Sequence, residues 1–202
     1  MHDLARWIGT WCFRPMYRLR VHYLERVPAQ GPVVVVANHS AFVDGPLLFG
    51  LLGRRTVFLV KQEMFHGPFA WILPRIGQVA VRRGTADRRP LTLALDVLRG
   101  GGLVAVFPEG TRTEGGDVAA AQHGAAWLAR TAGALVLPVV CRGTRRPAGS
   151  RRRLRPRVDV LIGEPLTLAA GGGRAGLAAA TETIRATLAG LVADIDDLRR
   201  TT

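Results

Sequence analysis

An α/β fold is what this 202-residue sequence predicts: one domain on a mixed, mostly parallel sheet flanked by helices, preceded by an N-terminal amphipathic helical segment. Three observations lead there. Val33 to Val36 and Leu103 to Phe107 are short, unbroken apolar runs of the kind that buried strands present. Such Val-rich runs alternate along the chain with longer stretches of helical period, the sequence pattern of an α/β sheet. The length suits a single domain with a substantial core.

Taken in order, the elements begin with a helix near 3–17. Leu4, Trp7, Ile8, Trp11 and Phe13 recur there at spacings of three and four among Arg6, Arg14 and Arg18, which sets the large apolar groups along one side. Tryptophan at such a face with flanking arginine is the pattern of a helix lying in a lipid headgroup layer. A strand near 19–27 rests on looser alternation, and the next, at 33–37, on the valine run. A helix near 45–52 leads to a strand at 56–61. A helix near 66–74 follows, where Met64, Phe65, Phe69, Trp71, Ile72 and Leu73 crowd a short segment broken by Pro68 and Pro74; this stripe is expected to pack on the core. Strand 78–82, helix 88–99, strand 103–107, helix 119–132 and strands 135–141 and 157–162 complete the alternation. The last helix, near 174–199, is entered through a flexible joint at Ala169 to Gly173. It carries Ile184, Leu188, Leu191 and Ile195 on one side, a face that either this chain's own core or a partner would satisfy. Residues 1–28 thus read as a membrane-interface segment with a lead-in strand, and 29–202 as the α/β domain.

The net charge of +13, from 28 basic and 15 acidic residues, is carried almost wholly by arginine, and Lys61 is the only lysine. Eight arginines fall between Arg142 and Arg157, in a stretch that breaks between two expected strands and therefore reads as an exposed loop. No aromatic residues interleave it and no recognition motif accompanies it, so nucleic acid is not the expected partner. Anionic lipid headgroups fit better, each basic residue near such a surface contributing about 1 kcal/mol. No stretch approaches the ~18–20 consecutive apolar residues of a bilayer span. The N-terminus lacks the uninterrupted apolar centre and the small-residue cleavage site of a signal peptide. Two cysteines suggest no disulfide framework. Peripheral attachment at the cytoplasmic face of the membrane is the resulting expectation.

Two polar islands follow the apolar runs directly: Asn38-His39-Ser40-Ala41-Phe42-Val43-Asp44 and Phe107-Pro108-Glu109-Gly110-Thr111-Arg112. Polar groups at the carboxyl ends of strands in an α/β sheet are where ligands bind, so the pair points to one site. In a regular helix His39 and Asp44 would stand about 140° apart, and they meet only if the chain turns between them. A strand ending near Asn38 and a helix beginning near Phe42 supply that turn. Asp44 would then accept a hydrogen bond from one imidazole nitrogen and leave the other to take a proton, which makes His39 a candidate general base. By itself this spacing is weak evidence, since a histidine satisfied in a turn shows it too. Serine occurs only at Ser40 and Ser150, there is no G-x-S-x-G elbow, and Cys141 lies in an apolar strand that suits an inert thiol. Without a protein nucleophile, the base would activate a hydroxyl brought by the substrate, which means transfer and not hydrolysis. Metal is not expected: there is no histidine pair at i, i+4 and no cysteine cluster.

The islands also carry a resemblance. NHSAFVD (38–44) resembles the N-H-x4-D block of the glycerolipid acyltransferase family, which includes the 1-acylglycerol-3-phosphate acyltransferases. GQVAVRRG (77–84), FPEGTR (107–112) and Val136-Leu137-Pro138-Val139 are similar to its later blocks, in the family's order. Lys61 and Gly124 also stand where the family has lysine and glycine. The resemblance spans residues 31–143. It implies that His39 deprotonates the free hydroxyl of 1-acylglycerol-3-phosphate as it attacks an acyl thioester, with Asp44 orienting the ring. The product would be phosphatidic acid for phospholipid biosynthesis. Arg83 and Arg112 would hold the acceptor phosphate by bidentate hydrogen bonds. Glu109 would orient groups in the site, Gly110 let backbone approach the phosphate, Thr111 add a donor and Lys61 position substrate. No cofactor is implied; acyl-CoA or acyl-carrier protein enters as co-substrate. Two other readings stand beside this one: an acyltransferase for another lyso-lipid, a glycolipid or an aminolipid, and a non-catalytic basic protein that binds membranes or nucleic acid.

Overall fold

The computed structural model describes residues 15–82, 88–107, 117–145, 149, 154–169 and 172–201, the side chains of 117–122 excepted. Among the described residues seven strands form one sheet: β1 (Arg18–His22), β2 (Val33–Ala37), β3 (Thr56–Lys61), β4 (Val79–Val81), β5 (Leu103–Val106), β6 (Leu135–Arg142) and β7 (Arg157–Ile162). Helices α1 (Asp44–Leu51), α2 (Pro68–Arg75), α3 (Arg89–Arg99), α4 (Asp117–Ala132) and α5 (Gly173–Arg200) accompany them. The order across the sheet is β1-β7-β6-β2-β5-β3-β4. Every neighbouring pair is parallel except β6 with β7. The expected α/β class with a mixed, mostly parallel sheet is therefore the observed one.

The unbroken valine runs follow from this architecture. Side chains alternate along a strand, and both faces are covered, so neither set has to be polar. Val34, Val36, Val104, Val106, Val136 and Val140 point to the face packed by Ala94 and Leu98 of α3, Leu128 of α4, and Ile184 and Ile195 of α5. Val33, Val35, Leu103, Leu137 and Val139 point to the opposite face, where Leu47, Leu48 and Phe49 of α1 and the following Leu52 pack. The apolar side of the last helix thus docks on the protein's own core.

Three expectations need correction. The strand foreseen at 19–27 ends at His22, because Tyr23 takes a left-handed conformation (φ 61°) and a 3-10 turn over Leu24–Arg26 follows. The helix foreseen at 66–74 starts at Pro68, after Gly67 at φ 53°, and none of its eight residues is buried. Its aromatic stripe does not pack on the core as expected. The arginine-rich stretch is not uniformly solvated at its edges: Arg142 pairs with Asp196 of α5, and Arg157 with the buried Asp159. The expected helix over 3–17 lies almost wholly outside the described residues. Among the described residues no helix is long and apolar enough to cross a membrane.

Candidate active site

Parallel pairing of β2, β5, β3 and β4 brings their carboxyl ends to one edge of the sheet. Ala37 ends β2, and residues 38–43 make the turn before α1 begins at Asp44. Asn38 holds this departure in place. Its side-chain amide accepts from Cys141 N–H (2.7 Å) and donates to Cys141 C=O (3.0 Å), which continues the β2–β6 ladder with a side chain in place of a peptide. A further donation reaches Ser40 Oγ at 3.3 Å. Gln78 does the same between β3 and β4, where its Oε1 accepts from Phe58 N–H at 2.7 Å.

Asp44 is fully buried and closes the turn. Its Oδ2 accepts hydrogen bonds from the backbone N–H groups of Ser40 and Ala41, both at 2.7 Å. The same oxygen lies 3.5 Å from Nδ1 of His39, whose side chain stays about one third exposed. Oδ1 has no hydrogen-bond partner among the described residues. The carboxylate is thus fixed by the backbone of the loop; Nδ1 of His39 faces it, but the hydrogen bond expected between them is not formed in the structure. The ring of Phe107, just past β5, lies tilted against His39 with centroids 4.5 Å apart, and Phe58 stacks on Phe107 at 5.7 Å. Phe107 opens the second polar island, so that island begins against the histidine.

Lys61 ends β3 at the same sheet edge, 3.3 Å from Glu63 and partly exposed. It is paired in register with Val81 of β4, two residues before Arg83. Arg83, Glu109, Gly110, Thr111 and Arg112 lie outside the described residues. Cys141 is buried, and desolvation, with the Asp44 charge adding to it, pushes its thiol well above the usual range. It is the inert thiol its strand setting implies. Among the described residues no three His, Cys, Asp or Glu side chains converge as metal ligands do. Sequence reasoning gave Asn38 and Phe107 no role of their own. Asn38 was legible only as the first letter of its island, because its use depends on β6, 103 residues away.

Chemically, an imidazole that faces a buried carboxylate past a strand end, partly open to solvent and walled on one side by an aromatic ring, can accept a proton from a bound hydroxyl. Residues 18–142 match the family model described as Acyltransferase. A chloroplastic 1-acyl-sn-glycerol-3-phosphate acyltransferase of Arabidopsis thaliana is 31% identical over 174 residues, 82% of this chain and 48% of that protein. A lyso-ornithine lipid O-acyltransferase of Pseudomonas aeruginosa is 38% identical over 112 residues, 54% of this chain and 41% of that protein. The crystal structure of the 1-acyl-sn-glycerophosphate acyltransferase from Thermotoga maritima matches with a TM-score of 0.74 at 26% identity, covering 98% of this chain and 79% of that one. The chain spans about half the length of the chloroplastic relatives it matches.

Proposed function

This chain belongs to the acyltransferase family, and from that premise we propose that it moves a fatty acyl group from a thioester to the free hydroxyl of 1-acylglycerol-3-phosphate, giving phosphatidic acid. The observation that carries the reading is the His39–Asp44 pair, with the carboxylate buried, doubly hydrogen-bonded and 3.5 Å from the ring. Asp44 faces Nδ1, which leaves Nε2 as the nitrogen for the substrate's proton. As His39 takes that proton, the hydroxyl oxygen bonds to the acyl carbon. The carbon–sulfur bond then breaks, and the departing thiolate recovers the proton from the imidazolium. A thioester is already activated, so positioning and a base suffice. The base contributes typically about 10²–10⁴-fold, and alignment of hydroxyl and thioester contributes more.

In this reading Arg83 and Arg112 clamp the acceptor phosphate and Lys61 positions substrate from the neighbouring strand end. Glu109 orients groups in the site, Gly110 lets backbone approach the phosphate, and Thr111 adds a hydroxyl donor. The donor is acyl-CoA or acyl-carrier protein. Residues 1–28 attach the protein to an anionic membrane surface at its cytoplasmic face and lead into the acyltransferase domain of 29–202. A second acceptor has one observation in its favour: the identity shared with the lyso-ornithine lipid enzyme over 112 residues. Mass-spectrometric product analysis with long-chain acyl-CoA and either acceptor separates the two. Phosphatidic acid from the parent, with at least about a 10²-fold loss in His39→Ala, is the expected result. Equal product from both proteins would overturn the base assignment. Product from the lyso-ornithine lipid alone would reassign the acceptor.

A further inference from the structure

None of the eight residues of helix α2 is buried. Its stretch Phe69, Trp71 and Ile72 exposes 36%, 55% and 38% of those residues' surfaces, and Phe42 exposes 56%. These are not scattered apolar residues of the ordinary kind. Phe42 and Phe69 meet edge to face with centroids 5.9 Å apart, so the helix and the catalytic loop form one continuous apolar face. Phe42 lies between His39 and Asp44 in that loop. Exposed aromatic faces of this sort mark contact sites, and the charges around this one select the partner.

The guanidinium of Arg75 lies 4.0 Å over the Trp71 ring and donates to Trp71 C=O at 3.0 Å. That pairing presents an apolar body with a cationic tip. Helix α2 has no acidic residue, and the one acid between 61 and 76, Glu63, is paired with Lys61. Amphipathic helices with Trp and Phe on the apolar side and arginine at the rim sit in the headgroup layer of anionic membranes. The net charge of +13 draws the protein to such a surface.

We infer that α2 and Phe42 together are the face that enters an anionic bilayer surface, bringing the mouth of the His39 site onto the lipid. It rests on the acyltransferase reading only in what the docking is for: an acceptor whose acyl chain lies in the bilayer reaches the base without leaving it. Phe42 then couples docking to the loop that Asp44 fixes.

The test uses the full chain with Trp71 as its sole tryptophan (Trp7→Phe, Trp11→Phe, Trp127→Phe) and vesicles of phosphatidylglycerol and phosphatidylcholine carrying brominated acyl chains. The expected result is quenching of Trp71 on binding. In the otherwise native chain, the Trp71→Asp, Ile72→Asp double variant should lose about tenfold in vesicle partition, with the parent's circular dichroism and Tm. Leu93→Asp, at a similarly exposed apolar site on α3, should partition like the parent. An unquenched Trp71 in bound protein, an equal loss in Leu93→Asp, or no binding at all would each overturn the inference. So would a parent that sediments as a dimer which the double variant dissociates, since a second copy would then cover this face. Lipid partition is read without turnover, so quenching without acyl transfer sinks the reaction and leaves the docking face, and the reverse sinks the face alone.

Discussion

Asn38 shows how a single side chain sets the geometry of the site. Its amide satisfies both backbone groups of Cys141 in a buried gap where β2 turns away from β6. Replacing it with alanine strands a buried N–H and a buried C=O, each costing about 1–3 kcal/mol. The expected outcome for Asn38→Ala is a urea midpoint lowered accordingly, together with reduced kcat, because the loop bearing His39 starts at this residue. Cys141 offers a test by pH. Burial raises its thiol pKa in the folded protein, so the native state holds the proton more tightly than the unfolded chain. This contribution to stability is fully present below the unfolded thiol's pKa of about 8.5 and is lost as pH rises past it toward the folded value. Unfolding free energies measured at pH about 7 and about 10 should therefore differ more in the parent than in Cys141→Ala. An identical difference in both would remove the thiol from the alkaline response.

Helix α5 carries the argument at the scale of the element. Ala180, Ile184, Leu188 and Ile195 recur on its buried side and pack with β6, β7 and α4 into the larger core. Ile184 is 1% exposed. Ile184→Ala should cost about 2–5 kcal/mol, the usual range for emptying a core site of this size. Urea unfolding monitored by circular dichroism measures it; a loss below about 1 kcal/mol would mean that the helix is not anchored there. The contrast with α2 is instructive. Both segments look amphipathic in sequence, yet one carries fully buried residues along a side and the other carries none. Periodicity reports that an apolar face exists, and it carries no information on what covers that face.

Across the whole molecule, the arginine excess divides into two populations. Some arginines are structural: Arg157 Nε donates to buried Asp159 at 2.8 Å, Arg199 reaches the same carboxylate from α5, and Arg142 binds Asp196. Arg199 thereby ties β7 to the last helix and Arg142 ties the end of β6 to it, while the Arg157–Asp159 pair lies within β7. His22 of β1 also stands 3.6 Å from Asp159. Arg75, stacked on Trp71, belongs to the surface population. A net charge sums both and distinguishes neither. The arginines of a strand end and those of the loop after it look alike in composition, because only the fold places Asp159 and Asp196 beside the former.

The sequence by itself determined the α/β class, the approximate place of most strands and helices, and the two polar islands at strand ends. These are local properties: apolar runs, turn residues and short-range spacing act within a few residues of one another. It also placed His39 and Asp44 in a turn that lets them meet, since the geometry of five residues limits how they can face each other. The tertiary structure decided what depends on partners distant in the chain. It set the strand order that gathers β2, β5, β3 and β4 at one edge, the use of Asn38 to bridge to β6, and the contact of the Phe107 ring with His39. It also decided that the apolar side of α5 is covered by the core while no residue of α2 is buried. Those outcomes turn on which surfaces meet once the sheet is assembled, and burial is a property of the assembled surfaces and not of any one segment.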